Sequence, residues 1–171
     1  MKIILRSLLV TLLVSCSAAS SSEKKFEKSG ISFTCPEGWE ITGEENIDSS
    51  GYYLTIEREG FSSSGLMTIS WVNDSVDLVD YLEIYKNEFQ TNTVYKYTNL
   101  SFSAPMEIKF NGIDAMATKF TTSILGLEYE GIVYCFYGND KTLSILKQEA
   151  IEDKSKNRDG FDSIEESFVV N

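Results

Sequence analysis

Histidine is absent from all 171 residues. Its absence removes imidazole general bases, Ser–His and Cys–His nucleophile systems, and the commonest zinc ligand together. Basic residues are scarce too: 15 Lys and Arg stand against 26 Asp and Glu, a net charge of −11. A broad electrostatic grip on nucleic acid needs the opposite balance, so no nucleic-acid partner is expected. The apolar run from Ile3 to Val14, interrupted by Arg6, Ser7 and Thr11, is too short to span a bilayer. No glycine-rich phosphate loop, nucleophile elbow or paired-carboxylate motif is recognisable. The expectation is a protein that is not an enzyme and carries no cofactor and no metal. What the chain does have is 42% apolar and 12% aromatic residues, enough to pack a core at the size of one domain.

Lys2 and Arg6 precede and punctuate the apolar run, as in a secretory signal. The run ends in Leu13, Val14, Ser15 and Cys16, which resembles the lipobox of bacterial lipoproteins. The resemblance implies that the Cys16 sulfur accepts a diacylglyceryl group, that small Ser15 admits the peptidase, and that Leu13 fills an apolar subsite. The expected organisation is a signal peptide over 1–15, a lipidated cysteine and flexible tether over 16–29, and an α+β domain over 30–171. Residues after the signal hold 13 basic and 26 acidic side chains. Residues 17–25 are small and polar, as a tether requires. Ser17, rather than an aspartate, follows the cysteine. By the same resemblance this permits outer-membrane delivery where the bacterium has two membranes.

From Gly30 the pattern changes. Ile31 to Cys35 alternates and meets a turn at Pro36, Glu37 and Gly38; Trp39 to Ile41 resumes the alternation. Tyr52, Leu54 and Ile56 share one strand face, and Met67, Ile69 and Trp71 share another. Asp74 or Ser75 is expected to cap a helix running to about Gln90, with Leu78, Leu82, Tyr85 and Phe89 as its apolar stripe. Leu100 to Phe110 alternates throughout, and Asn111-Gly112 suits a type I′ hairpin placing Phe110 opposite Ile113 and Met106 opposite Ala117. Pro105 then belongs at a bulge or an open edge. Ile132 to Tyr137 reads as a central strand buried on both faces. Phe161, Ile164 and Phe168 fit a short closing helix capped near Asp159, and Val169-Val170 a last strand. These elements make an antiparallel β-sheet flanked by helices.

Phe26, Gly30 to Phe33 and Pro36 to Trp39 resemble the opening hairpin of PsbP-like proteins, and the Asn111-Gly112 turn and Phe161, Ile164, Ser167 and Phe168 are similar to later landmarks of that group. The resemblance spans residues 26–170 and implies an α/β/α sandwich. Its members mostly bind other macromolecules, so it implies a membrane-anchored accessory domain for a protein or another envelope component. A small-ligand or divalent-cation carrier is the alternative. No binding residue of the family maps onto this chain.

Two smaller readings concern side-chain chemistry. Cys35 and Cys135 either pair as a disulfide outside the cytoplasm or stay as two buried thiols, and the sequence leaves both open. Ser155 to Glu166 places Asn157, Asp159, Gly160 and Glu166 at positions 3, 5, 6 and 12 of a calcium loop. Serine at position 1 and Asp162 at position 8 argue against it, and a helix explains the apolar spacing better.

Overall fold

A computed structural model describes residues 22–47, 50–61, 63–96 and 98–171. Cys16, with the rest of the signal segment, lies outside them. Chain order is β1 (Lys24–Lys28), β2 (Ile31–Cys35), β3 (Trp39–Ile47), β4 (Gly51–Arg58), β5 (Leu66–Val72) and α1 (Leu78–Thr91). There follow β6 (Ser101–Phe102), β7 (Met106–Phe110), β8 (Ile113–Ile124), β9 (Leu127–Gly138) and β10 (Lys141–Ala150). A 3₁₀ turn (Ile151–Asp153), α2 (Lys154–Ser167) and β11 (Val169–Val170) close the chain.

The main sheet runs β3-β4-β5-β10-β9-β8, with β6 and β7 both pairing along the outer edge of β8. Every pairing in it is antiparallel. A second sheet, β1-β2-β11, packs with α2 on one face, and α1 covers the other. This is the α+β sandwich expected from the residues. The Asn111-Gly112 turn has φ of 44° and 81°, both positive as a type I′ turn demands, and the register pairs Phe110 with Ile113 and Met106 with Ala117. Pro105 separates β6 from β7 at the edge, where its missing N–H costs no ladder bond. In β9, Tyr134 and Phe136 enter the core under α2 while Val133 and Cys135 enter the core under α1.

Two expectations are corrected, and two pairs of alternatives follow. The tether expected through residue 29 ends sooner, because Lys24–Lys28 is β1. Phe26 alone carries that strand, stacking on Phe33 at 5.0 Å, and one apolar residue among lysines leaves no visible alternation. α1 begins at Leu78, capped by Asp77, whose Oδ1 accepts from the backbone N–H of Val79 (2.9 Å) and Asp80 (3.1 Å). The chain before it is pinned to β10: Thr142 Oγ1 donates to the Asp74 carbonyl and accepts from the Val76 N–H, which keeps 74–76 out of the helix. Residues 155–166 lie within α2, so the helix and not the calcium loop is formed, and it starts at Lys154, a turn before the cap expected near Asp159. Of the two alternatives for the cysteines, the structure has both as buried free thiols. Cys35 sits in one core, its thiol donating to the Trp39 carbonyl at 3.3 Å, and Cys135 sits in the other, across the sheet.

Gly160 has a different purpose from the one its calcium-loop position suggested. A Cβ there would lie 2.0 Å from Trp39 Nε1, so glycine lets the indole press against α2, with the Phe161 ring tilted against it at 4.9 Å between centroids.

Candidate functional site

One end of the main sheet holds the features that carry chemistry. The register aligns Glu57, Leu66, Gln148, Gly131 and Phe120 in a row across β4, β5, β10, β9 and β8. Beyond this row β8 and β9 continue to a two-residue turn at Leu125-Gly126, a projection of about 13 Å at strand rise. Lys24 pairs with Cys35, and Trp39 pairs with Arg58, so the described chain begins at this same end. Two apolar tips stand there in solvent. Phe61, in the β4–β5 loop, and Leu125 are fully exposed. Leu125 also has φ 53°, a conformation disfavoured for a branched side chain, so neither burial nor backbone preference accounts for leucine at this position.

Under α2 at that end lies a cleft of about 390 Å³. Its floor comes from alternate residues of three strands, Lys119 on β8, Ile132 and Tyr134 on β9, and Lys147 and Glu149 on β10; Lys154, Arg158 and Phe161 of α2 form its wall. Four cations therefore gather in a chain whose net charge is −11. Two of them are engaged: Lys147 pairs with Glu165, and Lys154 with Glu130 at 2.5 Å. Among the described residues, no salt bridge or hydrogen bond engages the Lys119 ammonium or the Arg158 guanidinium.

The Lys147 side chain is 15% exposed, and its ammonium lies 5.5 Å from the Tyr134 ring centroid and 6.0 Å from that of Phe110. Tyr134 is 7% exposed, yet its hydroxyl has no hydrogen-bond partner among the described residues and is not sealed from open space. Burial, with the Glu165 charge adding to it, pushes that phenol up to about 12, so it stays a donor at physiological pH. Glu149 accepts from Asn157 Nδ2 at 3.0 Å, and burial still holds its carboxyl above the ordinary range. Sequence reasoning missed this cleft. Its polar residues are spread over three strands and a helix, and only the register brings them together.

The other predicted positions are less reactive than their residue types suggest. Desolvation pushes the Cys35 thiol up to about 11 and that of Cys135 to about 12, which leaves both un-ionised. Glu44, on β3, accepts from the Tyr52 hydroxyl. Among the described residues no group of three or more acidic or cysteine side chains could hold a metal ion. No helix among them is long and apolar enough to cross a membrane. A second, shallower groove of about 490 Å³ lies over the β7 edge, walled by Leu78, Ile108, Met116 and Tyr137.

This architecture is a PsbP-like α+β fold. The chain superposes on the solution structure of cyanobacterial PsbP (CyanoP) from Synechocystis sp. PCC 6803 with a TM-score of 0.59 at 13% identity, covering 93% of this chain and 99% of that one. LpqN, a Mycobacterium tuberculosis protein involved in cell envelope biogenesis, matches at a TM-score of 0.54 and 12% identity over 87% of this chain and 90% of its own. A Bacteroides thetaiotaomicron protein matches at 0.54 and 12% over 88% of this chain and 49% of its own. Identity this low establishes the fold and transfers no residue role. No family model matches the sequence, and no curated protein matches it.

Proposed function

We propose that this protein is a lipid-anchored, non-catalytic binding domain of a bacterial cell envelope, acting on an envelope protein or another envelope component. The observation that carries the reading is the Leu13-Val14-Ser15-Cys16 sequence at the end of an apolar run, eight residues before β1 begins. Eight residues reach about 28 Å at most, so an anchor on Cys16 holds the β1 end of the sheet close to the membrane. The exposed Phe61 and Leu125 belong to that end and suit a lipid surface. Acyl chains contribute ~0.8 kcal/mol per buried methylene, and two or more anchor a protein stably. A binding role without catalysis agrees with the lack of histidine and with two thiols held un-ionised in separate cores. By resemblance, Ser17 favours the outer membrane where there is one.

The test is Cys16→Ala. The unmodified chain should gain the mass of a diacylglyceryl group at Cys16 and partition into detergent. The variant should accumulate as an unprocessed precursor without that mass, and normal maturation of the variant would overturn the anchor. The small-ligand alternative draws its support from the cleft under α2, which is concave and lined by both charged and apolar side chains, where a protein-docking face is flat.

A further inference from the structure

The cleft under α2 combines three things that packing alone does not require. The Tyr134 hydroxyl has no partner among the described residues and opens into the cleft, although the residue as a whole is only 7% exposed. A tyrosine this buried ordinarily bonds its hydroxyl within the protein, and this one keeps its donor available. Cations crowd it: the Lys147 ammonium makes one hydrogen bond, to Glu165, and keeps two donors spare, while Arg158 and Lys119 have no counter-charge. Finally, the surfaces of Ile132, Tyr134 and Phe161 give the same cleft an apolar side.

We propose that this cleft binds a small amphiphilic oxyanion, a carboxylate or phosphate headgroup received by the Tyr134 hydroxyl, Lys147 and Arg158, with its apolar body along Ile132 and Phe161. This deepens the binding reading above and rests on it, since such an amphiphile is an envelope component. The charges decide for an anion. Of the acids lining the cleft, Glu130 is held by Lys154 and Glu149 accepts from Asn157, which leaves Asp162 to oppose the headgroup from α2. Arginine offers a planar fork matched to carboxylate and phosphate, and a protonated phenol adds a neutral donor with no further charge to desolvate. A bare inorganic anion would leave the apolar side unused. A neutral amphiphile would leave the cations unanswered.

The experiment uses the full chain as it matures, in phosphatidylcholine nanodiscs, with tyrosine labelled at ¹³Cζ. Octanoate and octyl phosphate are the probes; octanol and inorganic phosphate are the controls. The resonance missing from Tyr134→Phe identifies the reporter. Both amphiphilic anions should shift it saturably, and calorimetry should give at least tenfold weaker binding for Tyr134→Phe and for Arg158→Gln, each of which keeps the fold by circular dichroism. Lys86→Gln, on α1 across the main sheet from the cleft, should bind as the unmodified chain does. If adding phosphatidylglycerol to the discs produces the same shift, the source is a lipid headgroup; if only the soluble probes do, it is a free amphiphile. Octanol binding as well as octanoate, unchanged affinity in both cleft variants, or no binding of either anion would each overturn the proposal. Mass measurement of Cys16 on the same samples separates the two readings: an anchored chain that binds nothing keeps its anchor and loses the ligand, and an unlipidated chain that binds octanoate does the reverse.

Discussion

The two faces of the main sheet are built differently. Under α2 and the β1-β2-β11 sheet lies an aromatic core in which Phe33, Phe26, Tyr52 and Trp71 form a chain of ring contacts and Phe110, Phe136 and Phe168 pack edge and face. Under α1 the apolar cluster is small: Leu82, Phe89, Phe120, Val133, Cys135 and Leu146. Beside it the sheet presents hydroxyls and amides. Ser70 and Ser144 share a hydrogen bond of 2.6 Å, Thr68 meets the Tyr85 hydroxyl at 3.4 Å, and Tyr95 donates to Gln148 at 2.6 Å. The first face gains its free energy from area removed from water. On the second, each polar contact is worth only about 1 kcal/mol net and serves mainly to fix how α1 sits. Stability therefore resides on the α2 face, which also carries the cleft. A site on that face is held rigidly, whereas one under α1 would ride on a softer layer.

Neighbouring residues of β10 test this directly, because Ser144 and Ile145 are both fully buried and point to opposite faces. Ile145→Ala should cost about 2–5 kcal/mol, the loss of transfer energy plus an unfilled cavity. Ser144→Ala should cost about 1–3 kcal/mol, for leaving Ser70 without its partner. Chemical denaturation measures both, and equal costs would remove the distinction between the faces.

Gly160 sharpens the comparison from the helix side. Alanine improves intrinsic helix propensity by about 1 kcal/mol at an interior position. Here the added methyl meets the Trp39 indole, a rigid ring already fixed by Phe161 and by Gly65. Overpacking of this kind costs about 1–3 kcal/mol, so Gly160→Ala should destabilise despite the better propensity. A raised thermal midpoint would mean that the α2 face is less tightly packed than its geometry indicates.

Much of the fold was legible because its elements announce themselves by period. The alternation along β4 and β5, the stripe of α1 and the Asn111-Gly112 turn all carry their own register, and each stands where the residues placed it. The misses share a cause. In α2 the inward stripe includes Asn157, fully buried and bonded to Glu149, and Gly160 against Trp39, so two of its core positions are not apolar and the first half of the helix reads as a polar loop. In β1 a single phenylalanine does the packing. Helix α1 starts late because Thr142, 66 residues further on, holds Val76. The cleft was out of reach for the same reason: Lys119, Tyr134, Lys147 and Arg158 have no common motif and meet only through three strand registers and a helix crossing.

The smallest expected effect concerns the rim of the cleft. Glu149 faces Glu130, Lys147, Lys154 and Asn157, and burial outweighs the hydrogen bond and both lysines in holding its carboxyl above the unfolded value. A carboxyl raised in the folded state binds its proton more tightly there than in the unfolded chain. Its contribution to stability is therefore unfavourable at neutral pH and improves as pH falls through the folded value, levelling off below the ordinary value of 4.5. Glu149→Gln keeps an oxygen for Asn157 and removes the charge. The variant should melt a few degrees above the unmodified chain at pH 7–8, and the gap should close by about pH 4. A variant less stable at neutral pH would mean that Lys147 and Lys154 depend on this carboxylate, which would leave only Lys119 and Arg158 as spare positive charge in the cleft.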